Sequence, residues 1–151
     1  MLKVKDVMNR KVITVKNDLK VREAVNQMNN HGIGCLVVLD RESVVGMLTE
    51  RDVLKRVVGE GRDPEKITVG KVMSKPLIAI DPEASLEETI NLMFKEKIKK
   101  IPVVKDEKLL GLVTMTDIAR VHPKIIEYVK KLITKYEVPK RMEKVIKYYI
   151  V

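Results

Sequence analysis

The chain repeats itself at a fixed interval, and that repeat limits its fold more than any other feature. Gly46-Met47-Leu48-Thr49-Glu50-Arg51-Asp52 returns as Gly111-Leu112-Val113-Thr114-Met115-Thr116-Asp117, 65 residues later. Each copy is a glycine, two apolar residues, a threonine, two variable residues and an aspartate. At this offset the match runs without a gap from Val4/Val69 to about Arg56/Val121, with identities such as Met8/Met73, Glu23/Glu88, Ile33/Ile98 and Val38/Val103. A repeat of this kind marks one supersecondary unit used twice. Units of about 55 residues are marginal alone. The two are therefore expected to pack on each other and share one core.

Composition supports a folded interior. Hydrophobic residues make up 45% of the 151, but aromatics only 3%, so aliphatic side chains and the eight Met must fill the core. The single Cys35 cannot form an internal disulfide, and no apolar run is long enough to cross a membrane. These features point to a cytoplasmic protein. The formal net charge is +9, of which +5 lies in residues 122–151.

Apolar spacing and turn residues give the order of elements. Val4 to Asn9 reads as a helical turn and Val12 to Val15 as a strand. Val21 to Asn30 places Val21, Ala24, Val25 and Met28 on one helical face, with Gly32 and Gly34 beyond its end. Cys35 to Leu39 and Val44 to Leu48 read as strands around a polar turn, and Thr49 opens a helix to about Val58. In the second copy the strand is Leu77 to Ile80. Ser85 and Glu88 form a capping box before a helix carrying Ile90, Met93 and Phe94. Ile101 to Val104 and Leu109 to Val113 complete it. The fold class is therefore mixed α/β: two β-α-β-β-α repeats at 1–58 and 69–121, a linker at 59–68 marked by Gly and Pro, and an extension at 122–151. In that extension Ile125, Ile126, Val129, Leu132, Ile133 and Tyr136 fall at helical spacing after Pro123. Val138-Pro139 ends that helix, and Lys140 to Val151 reads either as a second helix or as a helix running into a strand.

Thr-x-x-Asp has an ordinary structural role as a capping box. It occurs here twice, each time directly after a strand, which sets a helix N-terminus at a sheet edge. The backbone N–H groups and dipole there suit an anion. The Asp carboxylate can accept two hydrogen bonds from a vicinal diol such as that of a ribose.

Taken with the strands and helices around it, this duplicated motif resembles a CBS domain pair, the module named after cystathionine β-synthase. The match rests on Val12 to Val15, Glu23-Ala24, Met28, Leu36-Val37-Val38 and Gly46 to Asp52. In the second copy it rests on Leu77 to Ile80, Glu88, Met93, Ile98 to Val104 and Gly111 to Asp117. The resemblance implies a pseudo-twofold pair with two clefts, each taking AMP, ADP, ATP or S-adenosylmethionine as a regulatory ligand, with or without Mg²⁺. One cleft would combine Thr49, Arg51 and Asp52 with Ile78, Ala79, Ile98, Lys99, Lys100 and Pro102. The other would combine Thr114, Thr116 and Asp117 with Ile13, Thr14, Ile33, Gly34 and Cys35. Arg51, Lys99 and Lys100 make the first cleft the more cationic, so an anionic nucleotide is expected there. Ala79 stands where the family often has a hydroxyl residue. The resemblance also implies a homodimer and a regulated protein partner.

The alternative is a docking or nucleic-acid-binding protein that works through its basic extension, with the clefts unused. That extension also reads as a packed amphipathic helix. An enzyme is disfavoured because no nucleophile stands beside a base. His31 and His122 have no ligand-spaced partners, so no metal site is expected.

Overall fold

The structure, a computed structural model, describes residues 1–136. The expectations for Val138-Pro139 and for Lys140 to Val151 lie outside them. In chain order the first half holds α1 (Val4–Val7), β1 (Thr14–Lys16), α2 (Val21–His31), β2 (Cys35–Asp40), β3 (Ser43–Thr49) and α3 (Glu50–Val53), which continues as a π-helical segment, Leu54–Val58. The second half holds α4 (Val69–Val72), α5 (Leu86–Glu96), β4 (Lys100–Lys105), β5 (Lys108–Thr114) and α6 (Met115–Val121), followed by α7 (Ile125–Lys135).

Local chemistry accounts for several element ends. α2 stops at Gly32, whose φ of +60° is the left-handed conformation that glycine adopts without strain. α5 starts where Ser85 Oγ accepts the Glu88 N–H at 3.1 Å and Glu88 returns a carboxylate to the Ser85 N–H at 2.8 Å. β2 and β3 pair antiparallel through the tight turn at Asp40 and Ser43, and β4 and β5 repeat the arrangement.

The two halves differ at their first strand. β1 runs parallel to β2, with the Val37 N–H donating to the Ile13 carbonyl at 3.3 Å. The residue at the place of Val37 in the second half is Pro102, which has no N–H to offer Ile78. The expected strand Leu77 to Ile80 is therefore reduced to one bridge, Ile80 with Val103, and β4 and β5 form a two-stranded sheet.

Instead of one shared core there are two, and each borrows a helix from the other repeat. Val4 and Met8 are buried with Ile80, Leu86, Ile90, Met93, Ile101 and Val113. Val69, Val72 and Met73 are buried with Val21, Ala24, Met28, Leu36 and Leu48. Backbone bonds fix the exchange. The α1 donors Val4 and Lys5 reach Ala84 O and Pro82 O at 3.1 and 3.0 Å, and the α4 donors Val69 and Gly70 reach Leu19 O and Asn17 O, both at 2.8 Å. Each aliphatic side chain buried this way is worth roughly 1.5–3 kcal/mol, so neither half keeps its stability without the other's first helix. The segment expected to be a plain linker also holds structure: Ile67 O and Pro64 O accept the first N–H groups of α2, at 3.0 Å each.

The start of the basic extension is packed. Ile125 and Leu132 on α7 are buried in the second core, Tyr136 stacks on Phe94 with ring centroids 6.0 Å apart, and the Asn91 amide donates to the Tyr128 hydroxyl. Among the described residues no helix is long and apolar enough to cross a membrane.

Candidate functional site

Thr49 ends β3 and caps α3. Its Oγ1 accepts the Asp52 N–H at 3.1 Å, and Asp52 Oδ2 accepts the Thr49 N–H at 3.0 Å. This box turns the Asp52 carboxylate back toward the sheet, where only 6% of the residue stays exposed. Two further groups hold it. Ser74 Oγ lies 2.8 Å from Oδ1 and 2.9 Å from Oδ2, and an Arg56 guanidinium nitrogen lies 3.5 Å from Oδ1. Arg56 also donates to Val72 O at 2.9 Å and Met73 O at 2.8 Å, the last carbonyls around α4.

A cleft of about 430 Å³ opens beside this cluster, within the range of small-molecule sites. The first half contributes Gly34, Cys35, Met47, Thr49, Arg51 and Asp52. The second half contributes Ser74, Pro76, Leu77 and Ile78 on one side and Lys97, Ile98, Lys99 and Lys100 on the other. Four cations rim an interior that is otherwise mostly apolar. Arg51, Lys97, Lys99 and Lys100 are all exposed, so they are free to meet an anion.

Of the residues assigned from sequence to this cleft, Thr49, Arg51, Asp52, Ile78, Ile98, Lys99 and Lys100 line it. Ala79 is half-buried and Pro102 is buried in β4, and neither reaches the wall. Gly34 and Cys35 were expected in the other cleft but stand on the wall of this one. The cause is local: Gly34 O accepts the Glu50 N–H at 3.0 Å, which holds the segment before β2 against its own α3. In the second half Lys99 O takes the Met115 N–H in the same way, at 3.1 Å.

Those bonds also change the expected anion site. The Glu50 N–H is taken by Gly34 O and the Asp52 N–H by Thr49 Oγ1, so two of the first three donors of α3 are occupied. Side-chain cations are the available partners for a phosphate here.

The other Thr-x-x-Asp makes the same box. Thr114 N–H donates to Asp117 Oδ2 at 3.2 Å, Thr114 Oγ1 donates to it at 2.7 Å, and the Asp117 N–H returns to Oγ1 at 3.1 Å. Asp117 is half-buried and Thr116 is exposed. Ile13 and Ile33 are half-buried, and Thr14 is exposed on β1.

Sequence reasoning missed Ser74, Arg56, Lys97, Met47, Pro76 and Leu77. Ser74 corresponds to Asn9 in the other repeat, so it falls outside the identities that define the repeat, next to the identical Met8/Met73. A polar residue conserving hydrogen-bonding ability at that position was the available signal.

Cys35 is buried against the cleft. Burial pushes its thiol above the ordinary 9.0, while the Lys100 ammonium pulls it back down. Among the described residues no three His, Cys, Asp or Glu side chains gather as a metal site would require.

Comparison with known proteins agrees with this fold. The family model "CBS domain" matches twice, at residues 4–59 and 69–124. CBS domain-containing protein YhcV of Bacillus subtilis is 36% identical over 119 residues, covering 79% of this chain and 84% of that protein. The crystal structure of Hypoxic Response Protein I with two coordinated zinc ions is similar with a TM-score of 0.75 and 33% identity, over 80% of this chain and 99% of that one. The CBS domain pair of protein MJ0100, solved in complex with 5′-methylthioadenosine and S-adenosyl-L-methionine, is similar with a TM-score of 0.72 and 26% identity, over 82% and 98% of the two chains.

Proposed function

The chain belongs to the CBS domain family, as a tandem pair, and from that premise we propose that it is a non-catalytic sensor of an adenosine-containing ligand bound in the Asp52 cleft. One observation carries the reading. A single cleft brings Thr49 and Asp52 from one repeat to Ile78, Ile98, Lys99 and Lys100 from the other. A ligand placed there touches both halves and favours whichever arrangement of them it fits better, in proportion to its differential affinity.

Each part of such a ligand has a chemical counterpart. Asp52 accepts from the ribose hydroxyls. Ile78, Ile98 and Leu77 give an apolar slot for the base. Pro102 offers the Ile78 carbonyl no N–H, which leaves that oxygen as an acceptor for an exocyclic amine. Arg51, Lys97, Lys99 and Lys100 suit phosphates, so AMP, ADP or ATP is favoured over S-adenosylmethionine, whose sulfonium is cationic. Leu54 and Val58, each 66% exposed on the helix leaving the cleft, support pairing with a second copy.

The test is a thermal-shift series with AMP, ADP, ATP, S-adenosylmethionine and adenosine on the intact protein, repeated on Asp52→Ala. A binder raises the Tm as its concentration passes its Kd. The reading predicts a rise with a nucleotide that Asp52→Ala abolishes. No rise with any of the five, or a rise that Asp52→Ala leaves intact, overturns it.

A further inference from the structure

Asp52 is already engaged by groups of its own chain. A carboxylate has about four lone-pair sites. Here the Thr49 N–H takes one at 3.0 Å, the Ser74 hydroxyl bridges both oxygens at 2.8 and 2.9 Å, and Arg56 stands 3.5 Å from Oδ1. With 6% of the residue exposed, little of the carboxylate faces the cleft. A ribose diol brings two new donors, and with so little of the carboxylate open they compete with the Ser74 hydroxyl for the same oxygens.

We propose that Ser74 is an internal competitor for the Asp52 carboxylate, and that a diol-bearing ligand binds by displacing its hydroxyl. This rests on the proposed reading of the Asp52 cleft. Two of the three groups around the carboxylate are held in place. The Thr49 N–H belongs to the capping box, and Arg56 is tied to Val72 O and Met73 O at 2.9 and 2.8 Å. The Ser74 backbone is likewise tied to β3, its N–H donating to Met47 O at 2.8 Å. Among the described residues the Ser74 hydroxyl bonds to Asp52 alone, and it can leave by rotation about one bond while the backbone stays in place. Ser74 itself lines the cleft, so the released hydroxyl turns into the space the ligand occupies.

The other repeat lacks this device. Asn9 stands at the place of Ser74, but its side-chain oxygen accepts the Lys11 N–H at 2.9 Å instead of meeting Asp117. The two carboxylates of the duplicated motif therefore differ: Asp52 is engaged from across the repeat boundary, and Asp117 is held by its own capping box.

The experiment is calorimetric titration of the full chain with AMP and with 2′,3′-dideoxyadenosine monophosphate, on wild type, Ser74→Ala and Ser74→Cys. Removing a competitor tightens diol binding, so Ser74→Ala binds AMP about three- to tenfold more tightly than wild type. The dideoxy compound, which does not call on Asp52, changes by less than about twofold. Ser74→Cys, whose thiol is a weaker donor, falls between the two. If Ser74→Ala weakens AMP or shifts both compounds equally, Ser74 is a structural or ligand-contacting residue and the competitor inference fails while the cleft reading stands. If AMP binds wild type and both variants no better than the dideoxy compound, Asp52 does not read a diol, and the inference and the reading fall together. Circular-dichroism melts of both variants distinguish a folding defect from a binding effect.

Discussion

Met73 holds its Sδ 2.8 Å from the point where a side chain on Gly46 would begin, and Met8 stands at the same 2.8 Å from Gly111. The glycine of the duplicated motif is thus explained by packing. The segment after α4 crosses β3, the segment after α1 crosses β5, and a Cβ on either strand would strike the crossing chain.

Gly46→Ala and Gly111→Ala are each expected to lower stability by about 1–3 kcal/mol, the usual cost of overpacking a filled site. Urea titration measures it. Because the Ser74 carbonyl also lies 2.9 Å from a Cβ on Gly46, trimming the methionine in Gly46→Ala/Met73→Ala will not restore wild-type stability. Full recovery would mean that the sulfur alone makes the contact.

The helix exchange makes residues 1–9 part of the second core. Deleting them removes Val4 and Met8 from the cluster around Leu86, Ile90 and Met93. Hydrogen exchange is expected to accelerate in α5 and β5, and by a smaller factor in α2 and β2. Equal acceleration in both halves would show that the cores open as one unit.

Lys99 and Lys100 face the cleft from exposed positions, where each charge is worth little and salt screens it. Lys99→Ala/Lys100→Ala should weaken ATP binding about three- to tenfold while changing adenosine less, and should flatten the salt dependence of ATP affinity. Titrations across a range of NaCl concentrations read both effects. An ATP affinity untouched by the pair would move the phosphates away from this rim.

Cys35 gives the pH response. Its folded thiol is raised above 9.0 by burial, so the neutral form is favoured in the fold. The stability this contributes is present below the unfolded value and is lost as pH rises through the higher folded one. Lys100→Met removes the opposing cation, and alkylation of Cys35 by iodoacetamide at pH 8.5 should slow roughly two- to fivefold. Faster alkylation would show that access, not ionisation, controls this thiol.

What the linear chain determined is whatever acts over a few residues or recurs at a fixed interval. Ser85 with Glu88 predicts one helix start, Gly32 marks one helix end, and the polar turn between Cys35 to Leu39 and Val44 to Leu48 predicts a hairpin, because each depends on neighbours within a turn or two. The 65-residue offset likewise announced a pair of equivalent units and the family they resemble. Three things were decided only by the folded chain. α1 and α4 trade places because their apolar faces fit the opposite core, and sequence order says nothing about which core a short helix covers. Pro102 deletes a strand only because of the partner it would have paired with. Ser74 reaches Asp52, and Arg56 reaches Val72 O and Met73 O, because the exchange carries the end of α4 to the end of β3. Each of these is a contact between distant segments, and such contacts exist only once the halves have packed.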